Sequence, residues 1–174
     1  MWDFFETVRH RHSVHRYQAD MPVEPHKLAA ILEMACAAPT AGGVQAYRIH
    51  CVESGDKRAA LEAAVNDASG FGGAPVILVF SADHQRAEAL FGERGRNLFA
   101  MQDATIAAAY AQLATTASGL GSHWIGDFDE AKVCALLPEQ TGAFTPLAMI
   151  ALGYPAENPP ATPRRPISDV VVRL

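Results

Sequence analysis

Residues 97–118 constrain the fold of this chain more than any other stretch. The segment is long, rich in alanine and free of glycine and proline. It carries Leu98, Met101, Ile106, Ala109, Tyr110 and Leu113, so it is apolar nearly all round. A helix of that kind must lie in a core or in a subunit interface. Gly119 and Gly121 are expected to end it. With 174 residues, the chain is most simply one domain spanning 1–174, long enough to wrap a real core around this helix.

The flanking sequence suggests what packs against it. Asp3 and Glu6 have capping-box spacing and would start a helix through Phe4, Phe5 and Val8. After Pro22 and Pro25, the residues Leu28, Ile31, Leu32 and Ala35 follow helical spacing, and Pro39 stops that helix. Gly42-Gly43 marks a turn with unusual dihedrals or a closely approached backbone. Residues 47–52 alternate as a strand, 56–68 read as a short helix with Leu61 and Val65 on one face, and 70–73 are a loop. The continuous apolar run 74–80 suits a central strand covered on both faces.

Residues 83–96 are polar and contain arginines. Residues 122–128 form a turn or short strand. Asp129 caps a helix through Val133, Leu136 and Leu137, and 147–152 is another apolar strand. The tail is broken by Pro155, Pro159, Pro160, Pro163 and Pro166 and must run extended. It closes on β-prone residues 167–172, suited to adding a strand to another subunit's sheet. The order implies an α+β domain, a small mixed sheet with helices on both faces.

A formal net charge of -5 argues against nucleic acid as the main partner. No apolar run reaches transmembrane length, and the N-terminus does not resemble a signal peptide. Cys36, Cys51 and Cys134 are expected to be reduced core residues of a cytoplasmic protein.

Against that acidic background, six of the nine side chains from Arg9 to Tyr17 can carry positive charge. One reading is a solvated helix end, where basic residues favour the last turn. The other is an anion site. Arg and Ser donate to phosphate, neutral His can donate to a ring carbonyl, and cationic His15 would stabilise negative charge. Arg164-Arg165, between prolines, is a surface pair or the second half of a phosphate clamp. Gly119-Leu120-Gly121 is not a dinucleotide loop, because Trp124 takes the place of the third glycine. His10, His12, His15 and His123 lack the acidic or cysteine partners of a ligand set, so no metal is expected.

Four stretches resemble a known family. Arg11-His12-Ser13-Val14-His15-Arg16-Tyr17 resembles the N-terminal flavin motif of the nitroreductase family. Residues 38–47 are similar to its A-P-S/T-x-x-N-x-Q-P-W/Y segment. Residues 119–126 are similar to its G-L-G-S/T-C-W-I-G segment, and residues 151–157 followed by Arg164-Arg165-Pro166 to its close. The resemblance implies the nitroreductase fold, with the C-terminal arm exchanged in a homodimer and FMN lying between the two subunits. It implies that Arg11 and Arg164 hold the FMN phosphate, and that His12 and Ser13 contact the ribityl chain and ring edge. His15 would lie near flavin N1 and O2. Pro39, Thr40 and Ala41 would line the ring from the other subunit. Ile125 and Gly126 would offer backbone groups, and Asn66 lies near a flavin-binding Asn.

Two departures stand out. Gly43 replaces the family's Asn (with Ala46-Tyr47 for its Pro-Trp), and His15 replaces a permanent cation with one that titrates. The implied activity is an FMN-dependent oxidoreductase. Hydride from NAD(P)H would pass through flavin N5 to a nitroaromatic, quinone or similar acceptor in a ping-pong cycle. A specialised branch (flavin-consuming, dehydrogenase or dehalogenase chemistry) and a non-enzymatic flavin carrier are the alternatives. Residues 83–96 are the natural lid.

Overall fold

The computed structural model describes residues 3–18, 20–66, 70–138 and 143–174. The sheet order is β1 (Tyr47–Val52), β2 (Val76–Asp83), β4 (Phe144–Gly153) and β3 (Gly121–Ile125). Every pairing in it is antiparallel, so the sheet is not mixed as expected. Among the described residues the parallel pairing is one bridge, Ser13 to Ser122.

Strand β2 shows why helices cover both faces. All of Val76 to Ala82 is buried, and alternate residues point to opposite sides. Val76, Leu78 and Phe80 pack with Ile150 and Leu152 against α2 (Pro25–Cys36) and α5 (Ala100–Ala117). Ile77 and Val79 pack with Met149 and Ala151 against Leu61 of α3 (Gly55–Glu62), Val133 of α6 (Glu130–Leu136), Val14 and Tyr17.

The capping box forms as expected. Asp3 accepts from the Glu6 N–H and Glu6 accepts from the Asp3 N–H, starting α1 (Phe4–His10). Arg9 and His10 occupy its last turn. Asp129 caps α6 by accepting from the Lys132 N–H. Gly119, at φ +77°, ends α5, whereas Gly121 belongs to β3.

Several expectations need correction. The polar segment 83–96 is mostly helix, α4 (His84–Arg94), capped by Asp83 and kinked at Gly92. It joins α5 through a π turn, Gly95–Phe99. α3 ends at Glu62, because Val65 leaves the helix to bridge Phe128; positions 67–68 of the expected helix lie outside the described residues. Cys36 and Cys51 are exposed and Cys134 is partly buried, so none is a core residue. Cys51 sits on edge strand β1 at an outward position between half-buried His50 and buried Val52. The β-prone tail, whose expected strand is with another subunit, makes within its own chain a short turn, Ile167–Asp169, and is exposed from Pro160 onward. A strand needs an edge to pair with, and the arm meets none within its own chain.

Candidate functional site

After α1 the chain turns extended at Arg11 and runs alongside β3. The Val14 N–H donates to the Ser122 carbonyl at 3.0 Å. The Tyr17 N–H donates to the Gly72 carbonyl at 2.9 Å, and its hydroxyl donates to the Ala151 carbonyl at 3.0 Å. Two glycines permit this close approach. A Cβ on Gly121 would sit 2.8 Å from the Val14 side chain. A Cβ on Gly72, which also holds φ +57°, would overlap the His15 carbonyl.

From the other side, Glu157 clamps the segment. Its carboxylate accepts from the His15 N–H at 2.7 Å and from Arg16 Nε at 3.0 Å. These bonds hold the Glu157 carboxyl below its ordinary range, the His15 N–H contributing most. Burial first, and the Glu157 charge second, push the Tyr17 phenol well above its ordinary range.

A cavity of about 170 Å³ opens beside this segment, lined by His10, His12, Gly121, Pro155, Glu157 and Asn158 among others. Arg11 is partly buried, and its guanidinium is held below the ordinary arginine range, first by burial and then by repulsion from Arg164. Arg164 Nη1 donates to the Thr162 and Pro163 carbonyls at 3.2 and 3.4 Å, and guanidinium groups are suited to binding an anion. The chemistry of two arginines fits a phosphate. A larger, mostly apolar groove of about 630 Å³ lies next to it, between α2 and the C-terminal end of α5.

The other expected residues fall into two groups. Ile125 ends β3 and Gly126 follows it, and Asn66 lies close by: its N–H donates to the Asp127 carbonyl at 3.0 Å and its Nδ2 to Asp127 Oδ1 at 2.8 Å. Pro39, Thr40, Ala41 and Gly43 lie elsewhere. Their loop is pinned to the start of α5, where buried Asp103 accepts from the Ala41 N–H at 2.9 Å and the Ala46 N–H at 3.1 Å. Gly42 and Gly43 have φ +55° and +71°, and a Cβ on Gly42 would sit 2.9 Å from the Phe91 ring of α4. The basic segment instead borders Thr116, at the far end of α5. Thirteen helical residues from Asp103 to Thr116, at about 1.5 Å each, separate the two groups by about 20 Å.

Sequence reasoning missed Asp103, Glu157 and the position of His123. A lone acidic residue in an alanine-rich helix was the available signal for Asp103, and a lone acid between Pro155 and Pro159 the signal for Glu157. Among the described residues no group of three His, Cys, Asp or Glu could hold a metal ion, and no helix is long and apolar enough to cross a membrane.

A profile of the Nitroreductase family matches residues 8–69 and 65–154. The chain is 36% identical to an NADH dehydrogenase of Thermus thermophilus, covering 93% of this chain and 91% of that protein. It is 29% identical to an NADPH-flavin oxidoreductase of Vibrio harveyi, covering 95% and 71%. The fold matches that of a protein of Exiguobacterium sibiricum, assigned as a nitroreductase and solved with FMN, at a TM-score of 0.88. That match covers 100% of this chain and 98% of that one at 17% identity. The chain belongs to the nitroreductase family.

Proposed function

We propose that the whole chain is one domain of an FMN-dependent oxidoreductase that takes reducing equivalents from NAD(P)H. Its acceptors are nitroaromatics, quinones or compounds of similar chemistry. Bound FMN supplies the hydride transfer, through N5, by which nicotinamide and acceptor exchange electrons in turn. The protein binds and orients. Arg11 and Arg164 take the phosphate, His12 and Ser13 the ribityl chain, and Ile125, Gly126 and Asn66 one edge of the ring.

What supports this reading is the basic segment, whose His10 and His12 line a cavity of about 170 Å³, together with the like charges of Arg11 and Arg164, cations suited to a phosphate. The cavity alone is smaller than complete small-molecule sites, commonly about 300–1,000 Å³, and it adjoins the groove of about 630 Å³ at Thr116 and Gly119. The ring-lining loop lies about 20 Å away along α5, so one chain holds half a site. A second copy related by a two-fold axis would bring its own Pro39, Thr40, Ala41 and Gly43 to this cavity. The exposed face of α5, with Met101 and Tyr110, and the exposed Ile167, Val170, Val171 and Val172 of the arm are the surfaces such a pairing would cover.

The test is anaerobic addition of NADH or NADPH to the FMN-loaded protein. Bleaching of the flavin's blue absorbance supports the reading, and bound FMN that neither nicotinamide bleaches would leave a flavin carrier instead. Light scattering should give a dimer, and truncation after Pro160 should weaken both the dimer and FMN retention. A stable monomer of the full chain contradicts the shared site.

A further inference from the structure

Gln45 holds a backbone conformation that glycine usually takes. Its φ is +52°, and among the described residues it is the one non-glycine with positive φ. A side chain in the left-handed region costs free energy, and Gly or Asn is the ordinary choice there. Such outliers persist where the surroundings fix them, and they cluster at functional sites. Packing does not explain this one, because Gln45 is exposed.

Its hydrogen bonds supply the reason. The Gln45 N–H donates to Thr40 Oγ1 at 3.1 Å. Its Nε2 donates to the Cys36 carbonyl at 2.9 Å and reaches the Tyr47 hydroxyl at 3.4 Å. A carbonyl only accepts, so the amide nitrogen is the end that faces it. Cys36 is the last residue of α2, and the final carbonyls of a helix lack partners within it. The Gln45 carbonyl accepts from the Tyr47 N–H at 2.9 Å. Gln45 is thus fastened to the end of α2, and the left-handed turn aims its N–H back at Thr40.

Thr40 stands out in this loop. From Pro39 to Val44 it is the one residue with a polar side chain. Where the family's pattern has Asn, this chain has Gly43, so the Thr40 hydroxyl carries the side-chain chemistry of the stretch alone. A hydroxyl offers one proton and two acceptor sites. The Gln45 N–H occupies an acceptor site, which leaves the proton to donate. The backbone beside it is fixed as well. The Thr40 carbonyl accepts from the Gly43 N–H at 3.2 Å, and the Ala41 N–H is held by Asp103.

We propose that Gln45 is a positioning residue that acts through Thr40, setting its hydroxyl as the one side-chain donor that residues 39–44 present to a flavin. The proposal rests on the FMN reading for what Thr40 meets, an acceptor atom of the ring in the site shared with the second copy.

Hydrogen exchange at the Gln45 amide, read by NMR in protein without FMN, tests the bond itself. Exchange should be about two- to tenfold faster in Thr40→Val than in wild type, as for loss of one uncharged hydrogen bond, and Thr40→Ser should restore the wild-type rate. Thr40→Ala serves the same purpose should the branched side chain fail to pack. Equal rates in wild type and in the variant that folds overturn the proposal. Titration of FMN at fixed chain concentration tests what the bond does. Gln45→Gly permits the left-handed backbone and removes the side-chain tie to α2. Gln45→Gly and Thr40→Val should each weaken FMN binding about two- to tenfold. The double variant should bind no more weakly than Thr40→Val alone, because residues that act through one contact are not additive. Losses that multiply, as for a loop that Gln45 merely stabilises, overturn the proposal and leave the function reading standing. Unchanged affinity in both single variants does the same. Failure of the wild type to bind FMN defeats that reading, and the exchange rates still decide whether Gln45 sets Thr40.

Discussion

Replacing Asp103 with Ala removes the anchor of the loop that carries Pro39, Thr40, Ala41 and Gly43. The carboxylate is 2% exposed and accepts from two backbone N–H groups, at 2.9 and 3.1 Å. Each donor left unsatisfied in a buried setting costs about 1–3 kcal/mol, about 2–6 kcal/mol for the two. The variant no longer desolvates a carboxylate, so the net loss should fall near the lower end, about 2–3 kcal/mol. For a domain of this size each kcal/mol lowers Tm by about 2–4 °C. Asp103→Ala should therefore melt roughly 4–12 °C below wild type. Asp103→Asn keeps one acceptor oxygen and should lose about half as much. Calorimetry at fixed chain concentration makes the comparison, since an associating chain melts at a concentration-dependent temperature. An Ala variant within about 0.5 kcal/mol of wild type, the range of ordinary surface changes, would refute the anchor.

Two pH dependences follow from the basic segment. The Glu157 carboxyl is depressed in the folded state. Its stabilisation is fully present above the ordinary glutamate value of about 4.3 and is lost as pH falls through the folded value; Glu157→Gln should flatten this acid limb in chemical denaturation. The Tyr17 phenol is raised, so its contribution is complete below about pH 10 and declines as pH rises beyond that. Tyr17→Phe should remove that decline and cost about 1 kcal/mol for the lost hydroxyl bond. Gly121→Ala drives a Cβ into the stiff, β-branched Val14. It should cost about 1–3 kcal/mol by overpacking and weaken FMN binding, measured by denaturation and fluorescence titration; unaltered values in both would show that the segment does not lie against β3.

Much of the scaffold was readable because its determinants are local. The Asp3–Glu6 box, the Asp129 cap and the Gly119 stop act within one turn. The apolar run through β2 has little use except as a strand covered on both faces. What escaped depends on partners remote in sequence. Asp103 satisfies N–H groups of a loop 62 and 57 residues away, and Glu157 reaches His15 across 142. The cysteines have apolar neighbours in sequence, but their exposure is set by which side of an element faces out. The tail from Ile167 has strand propensity, yet strand formation depends on an available edge. The motifs name residue types suited to a site, while the distance between the basic segment and the Pro39–Gly43 loop is a property of the length of α5.

The most direct measurement is titration of FMN with the purified protein, followed by fluorescence quenching. Wild type should quench FMN with one equivalent per chain. Arg11→Ala and Arg164→Ala should each bind more weakly by about ten- to a hundred-fold, the loss of a charge-assisted bond of about 1.5–3 kcal/mol. Absence of quenching by wild type, or unchanged affinity in both variants, would contradict the phosphate clamp on which the proposed function stands.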